Sequence, residues 1–349
     1  MLALASAVAA LVRIDPGGRA EAARQGAGPP VTSRPAVDPP APKARPASAA
    51  RPASYLYVPS EGGYSSSYYG GPPLRFRDLF PAQTRATIDP AIPATNYWAL
   101  LIGINDYAGS TRDNVGSYQD ARDLRVYLLN IGWRNDHIAL IANRYATASM
   151  ILQGISWLAS KTNSASTVVF NYSGHEEPKY YGGTRHIMLW ASDNRFIADT
   201  VFARDLGYVT ARQMWINLAV CRAGGFNDPG LVQSGRVVTF SSPESELSYE
   251  DPSVSHSVMG WYIIMEAMAY DQADANGDGQ VTVEEAFAYA RPRVVNRTHG
   301  AQHPFMVDRH SGAMSLIPPK PAPPPADPPQ SQPTSGCSFV ICGGAIKQY

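Results

Sequence analysis

From residue 96 onward the apolar positions of this chain alternate between two rhythms. Short continuous apolar runs suit strands buried on both faces. Between them, apolar residues recur three and four positions apart, which suits helices with one buried stripe. Tyr97 to Ile104 (YWALLIGI) predicts the first strand, and Gln119 to Ile131 a helix with Ala121, Leu124, Leu128 and Ile131 on one face, stopped at Gly132. His137 to Ile141 predicts a second strand, and Thr147 caps a helix carrying Ile151, Ile155 and Leu158. Val168 to Tyr172, Gln213 to Val220 and Val237 to Ser241 predict three further strands, followed by a helix over Val258 to Tyr270. Strands alternating with helices predict an α/β domain over 96–318, with a mainly parallel sheet covered by helices on both faces.

In such sheets functional groups gather beyond the carboxyl ends of the strands. Two polar residues stand there: His175 just past the third strand and Cys221 just past the fourth. A thiol becomes a good nucleophile when a neighbouring imidazole takes its proton. Adjacent strands lie about 4.8 Å apart, so groups beyond two neighbouring strand ends are able to meet. A lone buried cysteine is more often an inert small hydrophobe, so this pairing needs independent support.

Composition narrows the function classes. Lys+Arg and Asp+Glu both number 29, so no global field points to nucleic acid. Most of the 30 prolines are concentrated at the two ends and leave a folded centre between tails. Residues 1–13 hold an apolar run too short for a bilayer, which needs about 20 residues. The run resembles the core of a secretory signal without its basic leader, so the expectation is export to the periplasm or exterior; the alternative is an Ala-rich tail on a cytoplasmic protein. Residues 14–95 form a Pro/Gly/Tyr-rich arm and 319–349 a Pro-rich spacer, each a partner contact or a plain linker. Cys337 and Cys342, in the tail, are close enough in sequence to form a disulfide in an exported protein.

Four segments supply the support the cysteine needs. ALLIGINDY (Ala99 to Tyr107), YQDARDL (Tyr118 to Leu124), YSGH (Tyr172 to His175) and CRAGGF (Cys221 to Phe226) fall in this order within about residues 96 to 312. Together they resemble the caspase-like cysteine peptidases, the bacterial metacaspase-type members in particular. The resemblance implies a caspase-like fold and protein or peptide substrates. It makes Cys221 the nucleophile that forms a thioester acyl-enzyme, and His175 the base and later the acid. It places the oxyanion on the backbone N–H of Cys221 and a second one at Gly174 or just after His175, at Glu176. No third side chain is required to orient the histidine.

Two positions depart from the family pattern. Glu176 stands where the family has glycine, and Ala219 where it has an acid two residues before the nucleophile. Asp120 matches the family's other pocket acid, which implies a preference for Arg or Lys before the scissile bond. The same departures leave open a second reading, a weak or inactive calcium-binding scaffold on this fold.

The calcium comes from a separate motif. Asp274 to Glu285 (DANGDGQVTVEE) fits the twelve-residue EF-hand loop at every defined position. Asp274, Asn276, Asp278, Gln280 (through its carbonyl), Thr282 and Glu285 are the predicted ligands, an all-oxygen set that suits Ca2+ rather than zinc. A helix over Gly260 to Tyr270 leads in, and one over Glu284 to Ala290 leads out until Pro292 stops it. A single loop of this kind favours structural over regulatory calcium, and a decayed surface loop is the plain alternative. His186 lies in HIMLW, which reads as a strand, and His256, His299, His303 and His310 fall in loops or near strand ends. All five lack paired metal spacing and are read as structural or solvated, and no phosphate-cradling glycine loop follows the first strand.

Overall fold

The computed structural model describes residues 94–181 and 183–319. The signal-like segment, nearly all of the arm, and the tail with Cys337 and Cys342 lie outside the described residues.

In chain order the domain runs β1 (Tyr97–Gly103), α1 (Ser117–Asn130), β2 (Ile138–Ala142), α2 (Ala148–Lys161) and β3 (Thr167–Ser173). Then come β4 (Glu176–Tyr181), β5 (Thr184–Trp190), β6 (Phe196–Ala198), α3 (Asp199–Gly207), β7 (Gln213–Ala219) and β8 (Arg236–Phe240). The last part holds β9 (Glu250–Asp251), β10 (His256–Ser257), α4 (Val258–Gly260), α5 (Val283–Arg297) and β11 (Phe305–Asp308). The central sheet has the order β11-β8-β7-β3-β1-β2. All its pairings are parallel except that of β11 with β8, so the expected mainly parallel α/β architecture holds.

Alternate residues of each strand feed two apolar layers. One takes Leu100, Phe170, Ile216 and Val238 with Ile151 and Ile155 of α2 and Phe202 of α3. The other takes Leu101, Val169, Trp215 and Val237 with Leu124 and Leu128 of α1, Ile264, and Phe287 of α5. Every residue of β3 and β7 is buried, which is why these strands are mostly apolar with no in-out alternation. Gly103 lets α1 cross the end of β1 closely: a Cβ there would lie 2.4 Å from the Ser117 carbonyl oxygen.

The buried strands also carry polar residues, and these pair among themselves. Asn217 Nδ2 donates to Asn171 Oδ1 at 2.7 Å, Asn171 Nδ2 to the Ile102 carbonyl at 3.2 Å, and Thr239 Oγ1 to Asn217 Oδ1 at 2.7 Å. A one-residue slip would strand these amides without partners, so the row fixes the register of the strands that end at the site.

Three features differ from the sequence expectation. An antiparallel sheet, β4-β5-β6, leaves the main sheet directly after His175. The helix expected over Val258 to Tyr270 is α-helical only over α4 and continues over Trp261–Ala269 with wider π-type turns, its end marked by the Tyr270 N–H on the Met265 carbonyl at 2.8 Å. Finally, α5 passes through Pro292 instead of stopping there. A mid-helix proline costs about 3 kcal/mol, and burial of Val294 beyond it returns about 1.5–3 kcal/mol.

Candidate active site

Ser173 and Ala219 are register partners on the neighbouring parallel strands β3 and β7. The Gly174 N–H extends the pairing by one bond, to the Ala219 carbonyl at 3.3 Å. His175 and Cys221 are each the second residue beyond that register pair. The fold thus brings the two predicted dyad residues to one end of the sheet.

The histidine is held on several sides. Its backbone N–H donates to the Tyr107 hydroxyl at 2.7 Å, and the Tyr107 ring lies 4.7 Å from the imidazole, tilted by 30°. A Cβ at Gly174 would sit 2.7 Å from that hydroxyl, so the small residue before His175 makes room for it. The His175 carbonyl accepts from the Trp190 N–H at 3.1 Å and from the Tyr172 hydroxyl at 3.2 Å. Burial pushes both phenols, Tyr107 and Tyr172, well up, so they serve as neutral hydrogen-bonding groups.

Nε2 of His175 lies 2.7 Å from the Arg112 carbonyl oxygen. A carbonyl only accepts, so Nε2 carries the proton and the neutral ring keeps its lone pair on Nδ1. Arg112 was not legible in the sequence, because its carbonyl, not its side chain, sets the tautomer.

The thiol of Cys221 is half-buried and is engaged by Ser248: Sγ donates to the Ser248 carbonyl at 3.4 Å and accepts from the Ser248 N–H at 3.3 Å. Burial pushes the thiol up; the Ser248 N–H works against this, Glu176 with it, and Arg222 against it. The resting thiol is therefore protonated near neutrality and turned toward Ser248.

Of the backbone donors predicted for an oxyanion, Gly174 is already engaged by Ala219. The Trp190-to-His175 bond makes Glu176 and Leu189 a non-hydrogen-bonded pair of the β4–β5 ladder, which leaves the Glu176 N–H outside it. The Glu176 side chain is buried. Its Oε1 accepts from Arg222 Nη1 at 2.6 Å, and its Oε2 has no hydrogen-bond partner among the described residues. Burial raises this carboxyl above the usual range and the Arg222 guanidinium offsets part of that.

Asp120, in the first turn of α1, has no exposed surface. Its Oδ2 meets the Ser173 hydroxyl at 2.7 Å and its Oδ1 accepts from the Ser257 N–H at 3.1 Å. A Cβ at Gly260 would lie 2.1 Å from Oδ1, so glycine is needed behind it. Burial pushes Asp120 up to about 7, against the pull of His256. Asp120 therefore bears on the strand end through Ser173, closed off from solvent.

In the loop Asp274 to Glu285, Asp274 Oδ1 accepts from Gly277 N–H at 2.8 Å and Oδ2 from Gly279 N–H at 2.9 Å. Gly277 and Gly279 stand at φ +76° and +82°, where a side chain would be strained. Asn276 Oδ1 accepts from Asp278 N–H, and Asp278 Oδ1 from Gln280 N–H, both at 2.8 Å. Glu285 Oε2 accepts from the Thr282 N–H at 3.0 Å, a capping box at the start of α5. The loop is therefore folded on its own carboxylates, and no three His, Cys, Asp or Glu side chains converge as a ready metal cage among the described residues. The donor chemistry still fits a calcium ion: every candidate is oxygen, and the loop is exposed from Asn276 to Gln280. Segment 313–317 braces it, with Val283 N–H on the Met314 carbonyl at 3.0 Å and the Thr282–Ser315 bridge.

Three of the other histidines take carboxylate partners: His186 meets Asp199 at 2.7 Å, His256 meets Asp123 at 3.0 Å and His303 meets Glu246 at 2.9 Å. No helix among the described residues is long and apolar enough to cross a membrane.

A family model described as a caspase domain matches residues 96–312. No curated protein matches the chain by sequence. Among solved structures, protein GSU0716 from Geobacter sulfurreducens is similar at 12% identity and a TM-score of 0.49, over 65% of this chain and 98% of that one.

Proposed function

The chain belongs to the caspase-domain family, and from that premise we propose that it is a cysteine endopeptidase of the metacaspase type that works through a Cys221–His175 dyad. The observation that carries the reading is the placement of both residues two positions past the Ser173–Ala219 pair, beyond the ends of adjacent strands. With Nε2 fixed by Arg112, Nδ1 of His175 takes the thiol proton once Cys221 turns from Ser248. The sulfur attacks the scissile carbonyl, and the negative oxygen is met by backbone N–H groups of Cys221 and Glu176. His175 returns the proton to the leaving amine, and water then hydrolyses the thioester, again with His175 as base.

Asp120 supports only an indirect part in selecting Arg or Lys, because its carboxyl is covered. In this reading the loop from Asp274 to Glu285 binds Ca2+ through Asp274, Asn276, Asp278, Gln280, Thr282 and Glu285. The ion would supply positive charge that gathers the loop's oxygens and steadies the start of α5. Export and partner binding through the proline-rich arms complete the proposal.

A second reading, an inactive calcium-binding scaffold, is favoured by one observation: the resting thiol is bonded to Ser248 rather than to the imidazole. The test between them is digestion of a mixed peptide library by the full chain, with calcium and with chelator, beside Cys221→Ala. Cleavage that disappears in Cys221→Ala supports the peptidase, and the cut sites report any preference for Arg or Lys. A folded, calcium-loaded protein that cuts nothing supports the scaffold.

A further inference from the structure

Glu176 directly follows His175, and Arg222 directly follows Cys221. The two side chains meet in an ion pair of 2.6 Å. The carboxylate is 1% exposed and the guanidinium 32%. Burying a carboxylate costs several kcal/mol unless a cation compensates it, and losing that cation is costly in turn. The pairing is therefore specific to this place rather than a casual surface contact.

The backbone around it is also constrained. Past the Gly174–Ala219 bond the two chains part: one enters β4 and the other the short turn Ala223–Phe226. Arg222 stands at φ +49°, a left-handed conformation that a residue with a side chain keeps only where its surroundings hold it. Its N–H is tied to the Glu246 carbonyl at 2.8 Å, while its guanidinium reaches across to Glu176. Close contact between Gly225 and Ile187 of β5 seals the same seam with apolar atoms.

We propose that Glu176 and Arg222 form an ionic clamp that positions the dyad, holding the loop that carries His175 against the loop that carries Cys221. The inference rests on the cysteine-peptidase reading. The clamp ties the two loops together where the sheet hydrogen bonds stop. It also sets one charge of each sign near the thiol: Glu176, together with Glu250, disfavours the thiolate, and Arg222 favours it. Glu176, at the position where the family carries glycine, is then a positioning residue whose partner sits beside the nucleophile.

The test compares the full chain with Glu176→Gln, Arg222→Gln, the double variant and Arg222→Lys. One readout is the pH midpoint of iodoacetamide alkylation, followed on the Cys221 peptide by mass spectrometry; the other is kcat and KM on a peptide that the unmodified chain cuts. The midpoint is expected to fall in Glu176→Gln and to rise in Arg222→Gln. Each single variant should lose about tenfold in kcat with KM within about threefold, and the double should be no worse than the poorer single, as coupled residues behave. Arg222→Lys should restore the midpoint but only part of kcat. If Arg222→Gln does not fold, Arg222→Lys and Glu176→Gln carry the comparison.

Unmoved midpoints, with losses in kcat that merely add, would overturn the clamp. The peptidase reading fails separately. Should the unmodified chain cut nothing while the two midpoints still move in opposite directions, that reading falls and the clamp around the thiol stands.

Discussion

The hydroxyl of Tyr107 accepts the backbone N–H of His175 at 2.7 Å, and the Tyr107 ring lies against the imidazole at 4.7 Å. One residue from the loop after β1 thus fixes both the backbone and the ring of the proposed base. Tyr107→Phe keeps the ring and removes the acceptor, leaving a partly buried N–H unsatisfied at up to about 3 kcal/mol. The expected result is a lower melting temperature and a kcat reduced about five- to tenfold, with KM little changed. Steady-state kinetics beside thermal melting check this.

The thiol's environment predicts the pH behaviour of the resting protein. Burial holds Cys221 above the ordinary thiol range, so less thiolate is present at neutral pH than in a free cysteine. Alkylation of Cys221 in the absence of substrate should be slower than that of a free thiol at neutral pH, and should accelerate as pH rises. Stopped-time alkylation with peptide mapping measures it; a Cys221 that reacts faster than a free thiol at neutral pH would contradict this resting arrangement.

Asp120 predicts a stability slope. Folding raises its carboxyl from the ordinary 3.8 to about 7, chiefly by burial, so the protonated form is the one the fold favours. Its contribution is full below about 3.8 and is lost as pH rises through about 7. Asn imitates the protonated acid, with an oxygen for the Ser257 N–H and a donor for the Ser173 hydroxyl. Between those pH values the urea midpoint of Asp120→Asn should decline less than that of the unaltered chain; parallel declines would contradict the assignment.

Much of this architecture was visible in the chain itself, for a physical reason. Strands buried on both faces, such as β3 and β7, leave mostly apolar runs, and the Thr147 cap on α2, which accepts the Met150 N–H at 3.2 Å, marks a helix start by its side-chain chemistry. Of the sheet β4-β5-β6 only β5 showed in the sequence, through HIMLW, because the other strands are short or mixed in polarity; Glu176, Glu177 and Lys179 give β4 no apolar alternation. Pro292 misled because local preference stops a helix there while burial of Val294 carries it on. At the site, His175 and Cys221 were readable as polar residues at strand ends. The Arg112 carbonyl and the Ser248 backbone were not, since backbone groups leave no trace in residue type. The Glu176–Arg222 pair was hidden for another reason: only the fold reveals that two positions far apart in sequence face one another.

The loop from Asp274 to Glu285 predicts a calcium response. A ligand that binds only the folded state adds about 2.7 kcal/mol at a hundredfold excess over Kd. For a domain of this size that is a rise in melting temperature of about 5–10 °C. Asp278→Ala should abolish the rise while changing the calcium-free melting point little, because Asp278 is exposed. Differential scanning calorimetry with calcium, magnesium and chelator checks it, and equal responses in both proteins would remove the calcium assignment.

The most direct measurement is capture of the acyl-enzyme. The full chain, mixed with an activated peptide ester and quenched in acid, is digested and mapped for a hydroxylamine-sensitive acyl group. The account predicts that group on Cys221, its formation slowed about a hundredfold or more in His175→Ala and absent in Cys221→Ala. An acyl group on another residue, or turnover that survives in Cys221→Ala, would contradict it.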